Sequence, residues 1–123
     1  MSELVSVYIA ETSVAAFAAD AKDLPDELTA LPAQARARVA ALAAEIKRTG
    51  GTVGSTYGPR TTLTAALEGA IAAAYSAVQK LDDEQTLRVV AQVMAGDGQS
   101  LALLRLSMNR PPVPDAFETG KAP

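Results

Sequence analysis

Four stretches of this chain place apolar residues at three- and four-residue steps, with alanine filling most of the positions between. That repeat follows the turn of an α-helix, not the two-residue alternation of a strand. Alanine is the strongest helix former and is depleted in strands, which weighs against any all-β fold. Only 4% of the residues are aromatic although 49% are hydrophobic. The core must therefore close through narrow seams of small aliphatic side chains.

The first helix is expected over residues 3–23, with Leu4, Val7, Tyr8, Val14, Ala15 and Ala18 on one side. Asp23-Leu24-Pro25-Asp26 then breaks the pattern. A second helix starts between Asp26 and Pro32, since proline is tolerated in a first turn. Its seam is Leu31, Ala35, Leu42 and Ile46, and the Gly50-Gly51 pair stops it. A third runs from an N-cap at Thr61 or Thr62 to near Lys80, with Leu63, Leu67, Ile71, Tyr75 and Val78 inward. Asp82-Asp83 caps a fourth, whose seam is Leu87, Val90, Val93, Met94, Leu101, Leu104 and Met108. Pro111, Pro112 and Pro114 prevent that helix from continuing. At 123 residues the chain fits one domain, a bundle over 1–109 with a Pro-rich tail over 110–123.

Short turns join helix 1 to 2 and helix 3 to 4, so each pair is an antiparallel hairpin. The connector over 50–60 is longer. Eleven extended residues reach roughly 36 Å, and an 18-residue helix is about 27 Å long. Two routes fit: a crossover along the whole bundle, leaving helices 2 and 3 parallel, or a surface path at one end. The hairpins also resemble each other. An offset of 57 residues places Glu11 on Glu68, Val14 on Ile71, Leu24 on Leu81, Glu27 on Glu84 and Thr29 on Thr86. The expected fold is all-α: a four-helix bundle of two related hairpins.

The sequence contains no cysteine and no histidine. Disulfides, thiolate chemistry, Ser-His catalysis and histidine-ligated metals are thereby excluded. A net charge of −3 argues against a nucleic-acid partner. The N-terminus lacks a basic leader and no window of 18 apolar residues exists, so the expectation is a cytoplasmic protein without a membrane span.

Four ionisable residues interrupt the four apolar stripes: Glu11 in helix 1, Arg38 in helix 2, Glu68 in helix 3 and Asp97 in helix 4. Charges are rarely buried unless paired. The simplest arrangement brings all four together, with Arg38 donating to two or three carboxylates. The competing arrangement turns some of them outward to water, Asp97 above all, because Gly96 and Gly98 flank it. Gly96-Asp97-Gly98 either lies within helix 4 or splits it in two. Tyr8 and Tyr75 are core residues whose hydroxyls need partners, placed near these charges.

A helix with an inward Glu, a second helix, a connector after Gly-Gly and the same pair again resembles the ferritin-like superfamily. Residues 34–51, 65–75 and 112–120 resemble small ferritin-like bacterial domains of unknown function. The resemblance implies a di-metal site with a Glu from helices 1 and 3 and Glu-x-x-His pairs from helices 2 and 4. Glu11 and Glu68 match the first kind. Arg38 and Ser100 occupy the histidine positions, which places Ala35 and Asp97 at the partnering glutamates. A guanidinium does not deprotonate in proteins and repels cations. The expected centre is thus degenerate, with an internal salt bridge in place of metal and no cofactor. The alternative is weak binding of iron or manganese by Glu11, Glu68 and Asp97 through oxygen ligands alone.

Other signals are weaker. Gly50, Gly51, Gly54 and Gly58 lack the Gly-Lys-Ser/Thr of a phosphate loop and read as connector. Arg36, Arg38, Lys47 and Arg48 tilt helix 2 basic; they form a solvated face or complement the helix end. Val113 and Phe117 favour a tail that packs on a groove over a loose end. Narrow alanine seams leave apolar surface for a homodimer or larger assembly through helix packing. The functional expectation is a non-enzymatic bundle acting in assembly or in binding a protein partner.

Overall fold

The computed structural model describes residues 2–21, 24–53 and 62–108. They form four helices: α1 (Ser2–Asp20), α2 (Leu31–Arg48), α3 (Leu63–Val78) and α4 (Glu84–Ser107), with a one-turn 3-10 helix at Asp26–Leu28. There is no strand among the described residues. The all-α four-helix bundle expected from the sequence is present. The connector's Gly54, Gly58 and Thr61 and the whole tail lie outside the described residues, as do Lys22 and Asp23.

Local chemistry sets the boundaries. The first helix ends at Asp20, short of the expected residue 23. Pro32 sits in the first turn of α2, where its missing N–H goes unused. At the other end Gly50 takes φ +92°. The Gly51 N–H then donates to the Ile46 carbonyl (2.9 Å) and the Gly50 N–H to Lys47 (3.1 Å), a Schellman closure. Thr62 caps α3 by accepting from the Ala65 N–H (3.1 Å). Asp83 caps α4 by accepting from the Thr86 N–H (3.0 Å). Between residues 84 and 107 helix α4 is unbroken, so Gly96-Asp97-Gly98 lies inside it.

The helix directions follow from which ends meet. Ser2, Glu3 and Ser6 of α1 share a cleft with Ala73, Ser76 and Lys80, so α1 and α3 are antiparallel. Glu3 and Leu4 also gather with Thr49 after α2 and with Asp83 and Thr86 at the start of α4. Hence α1 and α4 run one way and α2 and α3 the other. This is the arrangement a long crossover between α2 and α3 requires.

The apolar core has two layers. One holds Val14, Ala18, Leu28, Leu31, Ala35, Leu67, Ile71, Leu101 and Leu104; the other holds Leu4, Val7, Tyr8, Leu42, Ile46, Ala74, Val90 and Val93. Along α1, α2 and α4 the residues between the layers are Glu11, Arg38 and Asp97. Three of the four helices thus give one ionisable group to a single polar level. Several seam assignments shift in consequence of how the helices rotate. Ala15, Leu63, Tyr75, Val78, Leu87 and Met94 are half-buried. Met108, expected inward, is 43% exposed, because the last turn of α4 extends past the layer formed by Leu101 and Leu104.

Candidate functional site

At the polar level, Arg38 reaches from α2 across to α1 and α4. Its Nε donates to Glu11 Oε2 at 3.1 Å. Asp97 Oδ1 stands at the same 3.1 Å from that nitrogen. Nε carries one hydrogen and directs it to Glu11, so the Asp97 contact is an ion pair without an aligned N–H. Both acid side chains are fully buried, while 13% of the Arg38 side chain remains exposed. Glu11 Oε1, both Asp97 oxygens and Arg38 Nη2 have no hydrogen-bond partner among the described residues.

Two carboxylates and one guanidinium would leave a net buried negative charge, which is costly. Burial pushes the Asp97 carboxyl well above the usual carboxylate range, the adjoining Glu11 raises it further, and Arg38 offsets this in part. Burial and the neighbouring Glu11 thus favour the protonated form of Asp97, and a proton there would give the acid pair a donor that it otherwise lacks. A proton on the pair would offset the excess negative charge that two acids and one guanidinium bring to the centre.

Glu68 does not join this unit. It is buried, but it lies beside Leu67 and Ile71, within one apolar layer rather than between the two. Arg105, one turn beyond Leu101 on α4, donates through Nη1 to Glu68 Oε1 at 3.1 Å. The expectation that all four charges converge is therefore corrected: the acids divide between two arginines. At the polar level itself α3 presents Ala72 and Ala73, between Ile71 and Ala74. Each hairpin nevertheless carries one Glu–Arg bridge between its own helices, Glu11–Arg38 and Glu68–Arg105. Among the described residues no three His, Cys, Asp or Glu side chains form a group that could hold a metal ion.

Tyr8 is buried in the layer below Glu11, and Tyr75 is half-buried. Ser100, 4% exposed, lines a cleft of ≈ 370 Å³ between α2 and α4 together with Arg38 and Gly96.

A second polar cluster escaped the sequence reading. Glu45 on α2 is 3% exposed. Its Oε1 accepts from Arg48 Nε (2.6 Å) and from the Thr86 hydroxyl (3.1 Å). Arg48 Nη2 donates to Asp83 Oδ1 at 2.9 Å, tying the end of α2 to the cap of α4. The Arg48 hydrogen bond holds the Glu45 carboxyl below its usual range against the effect of burial. The Thr86 N–H and Arg48 lower Asp83 likewise. Arg48, exposed in the last turn of α2, is thus also an interhelical tie. The available signal was Glu45 itself, three residues after Leu42 and next to Ile46 on the inward side.

Compared with family models, with curated proteins and with solved structures, the chain matches none.

Proposed function

We propose that this protein is a non-enzymatic, ferritin-like helical module whose centre carries an internal ion pair instead of a metal, and that it acts in assembly or partner binding. The observation that carries this reading is Arg38 between Glu11 and Asp97. A cation entering there would have to displace a guanidinium that lies 3.1 Å from both acids. Glu68, the third oxygen donor in the metal-binding alternative, is engaged by Arg105. The parallel run of α2 and α3 supports the ferritin-like comparison.

Assembly as a homodimer is supported by the outer face of α2. Ala33, Ala40, Ala41 and Ala44 are all exposed there. Small side chains at this spacing let another helix approach closely.

Two measurements test the proposal on the full chain. Purified protein incubated with iron(II) or manganese(II) and desalted retains no stoichiometric metal. Retention of one or two ions per chain, lost in Glu68→Ala, overturns the metal-free reading in favour of the carboxylate site. Light scattering after size exclusion should give twice the monomer mass, and Ala40→Glu should halve it. A monomer at all concentrations sinks the dimer.

A further inference from the structure

The cleft between α2 and α4 lies directly above the buried ion pair. Its floor is Arg38 and Gly96, its donors are Gln34, Gln99 and Ser100, and its apolar wall is Leu28 and Leu103. The two helices meet sparsely along this line, unlike the other neighbouring pairs of the bundle. One turn beyond Leu103, on the same side of α4, Leu106 is 55% exposed. The strip therefore runs from the middle of the bundle to the end at which α4 finishes.

We propose that this cleft is the docking site of the chain's own C-terminal segment, residues 111–117. Three arguments select that occupant. The first is reach. Met108 to Gly96 is twelve helical residues, about 18 Å, and the nine residues 109–117 span about 28 Å when extended as polyproline. The segment can double back and cover the strip from the point where the chain leaves α4. The second is hydrogen-bond chemistry. Pro111, Pro112 and Pro114 supply carbonyl acceptors but no N–H, and the guanidinium, amide and hydroxyl groups of the cleft supply the donors. The third is charge and shape: Glu27 on the cleft rim offers a carboxylate to Arg110, just before the segment, while Val113 and Phe117 match the apolar wall of Leu28 and Leu103 and the exposed Leu106 beyond it.

The sequence has no tryptophan, so Phe117→Trp in the full chain is a single reporter. Docking predicts a blue-shifted emission and several-fold weaker acrylamide quenching than free tryptophan shows. Both should be independent of protein concentration. Adding Ala37→Glu, an exposed position of α2 on the cleft, should return the emission to that of free tryptophan while far-UV circular dichroism stays unchanged. Leu103→Glu, on the opposite wall, should do the same and serves as the second variant if Ala37→Glu alters the fold. Emission like free tryptophan in the Phe117→Trp protein overturns the proposal. So does protection that grows with concentration, which would place the segment on a second copy, or protection that neither cleft variant disturbs.

Discussion

Gly96 faces the Arg38 guanidinium so closely that a Cβ added there would stand 2.9 Å from Nη1 and 3.3 Å from Cδ. The glycine is what allows an arginine side chain to pass between α2 and α4 and reach the bundle centre. Gly96→Ala removes a mid-helix glycine, worth about 1 kcal/mol in α4's favour. It also pushes a side chain whose Nε is fixed by Glu11. The displaced bridge outweighs the gain, and urea unfolding should show a net loss of about 1–2 kcal/mol. In an Arg38→Ala background the same substitution should stabilise. Stabilisation with Arg38 present would show that the guanidinium shifts freely.

Gly69 supplies the contrast. It lies inside α3, and an added Cβ would meet nothing within 4 Å. Gly69→Ala should stabilise by about 0.5–1 kcal/mol through helix propensity and reduced freedom of the unfolded chain. A loss in the urea midpoint would contradict this.

Arg38→Met removes the only cation bonded to Glu11 at the polar level among the described residues. An unpaired buried carboxylate should lower stability by about 3–5 kcal/mol near neutral pH. A change below about 0.5 kcal/mol is what a water-facing residue would give. Replacing the whole unit, Glu11→Leu with Arg38→Met and Asp97→Val, should recover most of that loss, because well-packed apolar groups match or exceed a buried ion pair. Chemical denaturation of the single and triple variants decides this. Failure of the triple variant to recover would mean that the charges contribute more than register.

The helices were legible because alanine-rich 3.6-residue patterning, Pro32, the Gly50-Gly51 pair, Thr62 and Asp83 each act locally. Burial of Glu11 and Asp97 was legible for a related reason, their place within apolar stripes. Which arginine serves which acid was not. That depends on the relative level of the helices, and α3 is set so that Glu68 falls opposite Arg105 rather than Arg38. The repeat misled in the same way. Thr29 is exposed and accepts no comparable role, whereas its repeat partner Thr86 is buried against Glu45, a difference fixed by long-range contacts.

That buried Thr86 contact carries its own consequence. The hydroxyl donates to Glu45 and accepts from Arg48 Nη2 at 3.3 Å. Thr86→Val keeps the shape and leaves part of Glu45 unsatisfied, so stability should fall by about 1–2 kcal/mol. In a double-mutant cycle with Glu45→Gln the two losses should be strongly non-additive. Independent effects would show that the hydroxyl acts only through packing.

The paired acids predict an unusual pH dependence. Asp97 has a folded-state pKa raised above its unfolded value, through burial first and Glu11 second. Such a group contributes its stability fully below the unfolded pKa, and the contribution is lost as pH climbs through the raised folded value. Glu45 is the opposite case: its lowered folded pKa stabilises above the unfolded value and fails as acid protonates it. Stability should therefore rise from strong acid to an optimum near the ordinary carboxylate range, about pH 4–5. It should then decline as pH rises further, because the unfolded chain loses its Asp97 proton at a lower pH than the folded one does. Asp97→Asn keeps a donor toward Glu11 without a titrating proton. It should flatten the decline above pH 5, and its advantage over the parent protein should grow as pH rises. Urea midpoints of the two proteins from about pH 4 to about pH 8 check this, and parallel profiles would place the proton elsewhere.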